Sequence, residues 1–265
     1  MAKIKKSEYY LNKTNNRYWS ASLVKSFLSC PARAVAELNG EWQTEWSEAL
    51  LVGSYVDAAF ESQDSFDSFC TEHPEMFNSR TGELKAPYRK ADEMIERAKS
   101  DPVFMQYMTG KKQVIKTGTV FGLPFKAKFD VYRRNKNWSD NRIVDLKTVK
   151  DMKPMYVPEQ GRVSPVQFWH WDIQCALYSA IDGHNLPTYL AIVTKESPPD
   201  LFLVEISEAE REACLSFLEQ KMPLFDAMKQ GVIEPERCEC CEYCRATKKL
   251  SGPITLTELE FENYE

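Results

Sequence analysis

The sequence predicts an α/β fold, with a central mixed sheet flanked by helices. Three observations carry this. In the N-terminal part, apolar residues such as Leu23, Phe27 and Leu28 recur at helical spacing. From Lys112 to Leu146 the period drops to two, as in strands. A helical stretch, two more strands and a long helix follow, so the two element types alternate along the chain.

Taken in order, SASLVKSFLSCPARAVAE (residues 20–37) reads as a helix capped by Ser20 or Ser22 and bent or interrupted at Pro31. A second helix covers Trp46 to Glu61, and a variable stretch runs from Asp64 to Pro87. A third helix spans Tyr88 to Ser100, and a short fourth Asp101 to Met108. Strands are expected over Lys112 to Val120, Leu123 to Tyr132 and Arg142 to Leu146. Phe121-Gly122 fits a tight turn between the first two, and NKNWSDN a longer hairpin loop. A helix from Ser164 to Ile181 precedes strands at Thr188 to Thr194 and Leu201 to Ile206. The last long helix, Ser207 to Gln230, opens on a capping box of Ser207 and Glu210.

The chain has 265 residues, 43% of them hydrophobic, enough for a sizeable core. It is read as one domain over residues 1–265. A helical part covers 20–110, the sheet and its following helix 111–206, and a C-terminal helix with a cysteine-rich tail 207–265. No run is long enough to span a membrane, and MAKIKKSEYY lacks the apolar core of a signal peptide, so a cytoplasmic location is expected. The net charge of −5 is unevenly spread. Lys111 to Lys153 holds twelve basic residues against four acidic ones, and Glu196 onward seven against sixteen. A basic strip can bind phosphate locally even in an acidic protein, because screening limits each charge to about 8–10 Å.

KAKFDVYRRNKNWSDNRIVDLKTVKD, residues 126–151, places Asp130 and Asp145 among apolar neighbours on two adjacent strands. Carboxylates are seldom left in strand interiors without a partner. Together they could hold one Mg²⁺ or Mn²⁺ ion, with the Leu146 carbonyl as a further ligand. Side chains alternate along a strand, so Lys147 shares the Asp145 face. A structural Asp–Lys pair with a turn aspartate fits the same spacing.

Asp130 followed by Asp145-Leu146-Lys147 resembles the signature of the PD-(D/E)XK nucleases, with their restriction-endonuclease-like core. The RecB-like and RecE-like (exonuclease VIII type) branch is the more specific match. Gly53-Ser54-Tyr55-Val56-Asp57 resembles the helical motif that usually carries a histidine metal ligand, and Asp57 takes that place here. GLPFKAKFDVY resembles the strand leading to the first aspartate, with Phe129 where the pattern has proline. Gln174-Cys175-Ala176-Leu177-Tyr178 resembles the Q-x-x-x-Y helix that follows the catalytic strands, and SLVKSFLSCP resembles the N-terminal Ser…Cys-Pro stretch.

The resemblance implies catalysis by Asp130, Asp145 and Lys147, supported by Gln174 and Tyr178. It implies a metal held by Asp57, Asp130, Asp145 and Leu146. It further implies a 5′→3′ exonuclease acting on double-stranded DNA ends in phage-type recombination. A RecT-like single-strand annealing protein would be its partner, and a ring-shaped homo-oligomer its assembly. A non-catalytic DNA-binding or assembly subunit that kept the fold is the alternative. On the helix, Gln167, His170 or Trp171, Gln174 and Tyr178 fall on one face, where they could position DNA or form a semi-buried core. Trp169 and Trp171 could stack on bases or simply pack.

The tail holds Cys238-x-x-Cys241-x-x-Cys244, one thiol short of a tetrahedral set, and Cys30 could complete it. Several RecB-like nucleases bind a four-iron cluster through one early and three late cysteines. The resemblance therefore implies a 4Fe–4S cluster here, while Zn²⁺ or no ion at all also fit the residues.

Overall fold

The structure is a computed structural model that describes residues 4–44, 47–137, 139–158, 160–250, 252–253 and 255–257. After a 3₁₀ turn (Lys6–Glu8) and α1 (Asn12–Arg17), Ser20 caps α2 (Ala21–Ser29) by accepting the Leu23 N–H at 3.3 Å. The helix stops at Cys30, and α3 (Pro31–Asn39) begins at once. Pro31 sits in its first turn, where a missing N–H costs no hydrogen bond. The break at Pro31 is thus complete. Ser47 caps α4 (Glu48–Glu61); the expected start at Trp46 lies outside the described residues. Residues 64–87 contain α5 (Gln63–Glu72), where a variable stretch was expected. Ser62 caps this helix, and Phe66 and Phe69 set their rings 4.8 and 6.3 Å from that of Tyr55 on α4. Then come a 3₁₀ turn (Pro74–Met76), α6 (Ala86–Lys99) and α7 (Pro102–Tyr107).

The strands are β1 (Lys111–Val120), β2 (Leu123–Arg133), β3 (Arg142–Val149), β4 (Met155–Val157), β5 (Gly161–Val163), β6 (Thr188–Thr194) and β7 (Leu201–Ile206). Five form one mixed sheet in the order β1-β2-β3-β6-β7, antiparallel except for the β3–β6 pair, while β4 and β5 form a separate hairpin. Phe121 and Gly122 both take positive φ, 53° and 73°, which matches the twist of the β1–β2 hairpin.

The helix expected over 164–181 is two: α8 (Pro165–Phe168) and α9 (Trp171–Asp182). His170 between them takes a left-handed φ of 52°, which turns the chain. The chain closes with α10 (Glu208–Lys229) and α11 (Glu242–Ala246).

Apolar residues cover both faces of the sheet. Phe125, Ala127 and Phe129 pack with Val24 and Phe27 of α2, Leu177 of α9 and Leu218 of α10. Val131, Val144, Leu146 and Ala191 pack with Val56 of α4, Met94 of α6 and Phe104 of α7. Helix α9 lies very close to β1. A Cβ on Gly118 would stand 2.6 Å from the Ile181 carbonyl oxygen, so only glycine fits there. Among the described residues, no helix is long and apolar enough to cross a membrane.

Candidate active site

The site forms where the sheet opens. The β2–β3 ladder runs Arg133↔Arg142, Tyr132↔Ile143 and Val131↔Val144, and stops there. One step further, the same register would set Asp130 against Asp145. At that point β2 stays with β1 while β3 stays with β6. Asp130 covers the opening, since its Oδ2 accepts the Leu146 N–H at 2.9 Å. Its Oδ1 accepts from Gln113 Nε2 at 3.1 Å. Gln113 is a non-glycine residue at φ 51°, and its buried Oε1 has no hydrogen-bond partner among the described residues. Local strain of this kind costs about 1–3 kcal/mol and persists only where surrounding structure imposes it.

Asp145 is buried, only 2% exposed. Its Oδ1 accepts from Gln174 Nε2 at 2.8 Å. Its Oδ2 forms an ion pair with Lys147 and meets no other donor among the described residues. The same Gln174 Nε2 donates to the Tyr178 hydroxyl at 2.9 Å, which in turn donates to the Lys128 carbonyl at 3.3 Å. Lys25 Nζ, from α2, donates to Gln174 Oε1 at 2.9 Å. A continuous polar chain therefore runs from Lys25 through Gln174 to Asp145 and Lys147. Gln174 and Tyr178, four residues apart on α9, grip the sheet from one face.

The charges bear on one another. Burial pushes the Asp130 carboxyl up to about 6, and Asp145 adds to the push. Burial, then Asp130, raises Asp57 well above the usual carboxylate range. Burial works against the Lys147 charge, yet Asp145 and Asp130 outweigh it and hold the ammonium above its ordinary value. Lys25 is pulled down to about 8, by burial first and Lys147 second.

Asp57 and Lys147 lie on the wall of a cleft of about 960 Å³. Helix α4 forms one side of it through Leu50 and Gly53, and the end of β3 forms the other. Lys150, Lys153 and Lys195 line it, as do Trp169 and Trp171. Trp169 is 48% exposed, whereas Trp171 is buried.

Two expectations change. The stripe on residues 164–181 is broken at His170, so Gln167 and His170 do not continue the face of Gln174 and Tyr178. Gln167 instead bonds back to Ser164 in a capping box. The basic strip is not one surface either. Lys116 pairs with Asp182, Arg133 and Arg142 pair with Asp140, and the Lys126 ammonium is buried against the Tyr9 carbonyl and Asn15. The cations of that strip that line the cleft are Lys147, Lys150 and Lys153.

Residues 20–247 match the family model described as "PDDEXK-like domain of unknown function (DUF3799)". The chain belongs to the PD-(D/E)XK nuclease superfamily. A solved structure from Eubacterium rectale, of a protein bearing the provisional name exonuclease, shows the same fold. It has a TM-score of 0.90 and 37% identity, and the match covers 98% of each chain. No curated protein matches the chain.

PD-(D/E)XK nucleases generally use divalent metals. The donors here fit a hard cation. Asp57, Asp130 and Asp145 bear on one another's charge, and among the described residues Asp145 Oδ2 meets the Lys147 ammonium but no other donor. Among the described residues, the cluster of metal-ligating side chains that comes together is Cys30, Cys238, Cys241 and Cys244, all within 4.8 Å, and it does not include the three acids.

The sequence pattern did not reveal Lys25 or Gln113. Lys25 is 149 positions from its partner Gln174, and nothing local to either residue signals their approach. The four thiols do come together in this PD-(D/E)XK chain, at the junction of α2 and α3.

Proposed function

We propose that this chain is a Mg²⁺-dependent deoxyribonuclease. The observation that carries the reading is the opening between β2 and β3. It faces Asp130 and Asp145 across one register step and sets Lys147 beside a cleft lined with lysines. Asp57, Asp130, Asp145 and the Leu146 carbonyl would hold the ion, which supplies Lewis-acid stabilisation of the phosphorane charge and activates water. Lys147 orients the attacking water and offsets charge on the scissile phosphate. Gln174 fixes the rotamer of Asp145, and Tyr178 fixes Gln174, so these two act as positioning residues. Lys25 holds Gln174 from its other end. Lys150, Lys153 and Lys195 meet the phosphate backbone, and the exposed Trp169 offers a ring for an unpaired base.

The substrate we propose is a double-stranded DNA end, degraded 5′→3′ in phage-type recombination. The support is the RecE-like resemblance, together with a structural neighbour that bears an exonuclease name over nearly its whole length. The same resemblance supports a single-strand annealing partner and a ring-shaped homo-oligomer, with residues 1–265 acting as one unit. The test is an assay on linear and closed circular duplex, with Mg²⁺ or with EDTA. Mg²⁺-dependent loss of the linear form alone is expected. Intact linear DNA in Mg²⁺ and in Mn²⁺ would overturn the reading.

A further inference from the structure

We propose that Cys30, Cys238, Cys241 and Cys244 hold a single tetrahedral Zn²⁺ ion rather than an iron–sulfur cluster. Their sulfurs all lie within 4.8 Å of one another. The Cys30 and Cys244 sulfurs stand 3.6 Å apart, and those of Cys238 and Cys244 3.9 Å. One ion with metal–sulfur bonds of about 2.3 Å sets its tetrahedral sulfurs about 3.8 Å apart. A four-iron cube interposes iron and sulfide between the thiolates and spreads the sulfurs to roughly 6 Å. The span here admits the ion and excludes the cube, so the cluster implied by the RecB-like resemblance does not fit these residues.

The surroundings suit such an ion. The Cys241 N–H donates to Cys238 Sγ and the Cys244 N–H to Cys241 Sγ, each at 3.4 Å. Such bonds stabilise thiolate charge at a metal centre. Cys30 and Cys244 are fully buried. The tail is docked on α3 at its start by the Ala32 N–H donating to the Glu236 carbonyl at 2.9 Å, and just past its end by Tyr243 against Trp42, ring centroids 5.5 Å apart. Four thiolates fill the coordination sphere and leave no position for substrate, as in structural zinc sites. Soft tetrahedral sites take zinc or iron, and Zn²⁺ binds more tightly than Fe²⁺. Each thiol loses its proton to solvent as the ion binds. Cys240 is exposed and outside the set.

The experiment is anaerobic purification from cells supplied with both zinc and iron, followed by metal and acid-labile sulfide analysis. About one zinc per chain without sulfide is expected, and Co²⁺ exchange should give the intense visible bands of a tetrahedral thiolate site. Cys30→Ser should lose most of the zinc, while Cys240→Ser should keep it. Cys241→His should also keep it, because zinc accepts three cysteines and one histidine. If Cys30→Ser does not fold, the metal content of the unaltered chain and of Cys241→His decides. About four irons per chain with matching sulfide, or no retained metal, would overturn the proposal.

Discussion

At the scale of single residues, Asp145 and Lys147 carry the strongest expectation. Asp145→Asn removes a proposed metal ligand, and Lys147→Ala removes the cation proposed to meet the reacting phosphate. Each should lower the cleavage rate about a hundredfold or more, several kcal/mol of transition-state stabilisation, with little change in melting temperature. Full activity in either purified, folded variant would remove these residues from the mechanism. Asp130 makes a second expectation, about pH. Its folded value of about 6 lies above the ordinary 3.8, so the folded chain holds the proton more tightly than the unfolded one. This group therefore costs stability above pH 6, and the cost fades as pH falls towards 4. In EDTA, Asp130→Asn should be more stable than the unaltered chain at pH 7, by up to about 3 kcal/mol, and the gap should shrink to about 1 kcal/mol at pH 4.5 and close by about pH 3. The asparagine can keep the Leu146 N–H bond, and once the Gln113 amide turns over it can donate to Gln113 Oε1, which has no partner among the described residues. Denaturant melts of both proteins across that range check the sign.

At the scale of elements, the sheet was legible and its partners were less so. Strands β6 and β7 fall on the expected residues because each is a short apolar run, and β6, between β3 and β7, is buried nearly throughout. The polar-aromatic spacing of Gln174 and Tyr178 was also readable, since four residues is one helical turn. Helix α5 was missed because its apolar face is only Phe66, Phe69 and Cys70, too thin a signal without the Tyr55 ring that receives it. The break at His170 was missed because a single left-handed residue leaves no trace in periodicity. The approach of Lys25 and Gln113 to the acids depends on tertiary packing alone. Packing at Gly118 gives a direct test of how α9 serves the site. Gly118→Ala would drive a methyl into the Ile181 backbone. Helix α9 must then shift, which should cost about 1–3 kcal/mol in a denaturant titration. Since α9 carries Gln174, the rate should fall as well. An unchanged rate at the lower stability would mean that Asp145 does not depend on the placement of α9.

At the scale of the whole molecule, net charge conceals the surface that matters. The chain is acidic, and much of its basic strip is bound internally, yet Lys150, Lys153 and Lys195 converge on one cleft. Duplex binding by Asp145→Asn in Ca²⁺ should therefore weaken as salt rises, with a slope of log K against log salt near −3 if those three lysines meet phosphates. Replacing all three by alanine should flatten the slope towards zero. A flat dependence in the parent variant would show that DNA does not use the cleft.

The contact between Cys30 and Cys244 also bears on how the chain is made. The two residues are 214 positions apart. At about 5–20 residues per second, a ribosome reaches the second some 10–40 s after the first. Asp57, Asp130, Asp145, Lys147, Gln174 and Tyr178 all emerge within that interval. A nascent chain stopped before Cys238 thus carries every acid and amine of the site, but leaves the thiol between α2 and α3 uncovered. Closing the tail over that thiol must wait until every acid and amine of the proposed site has already been made.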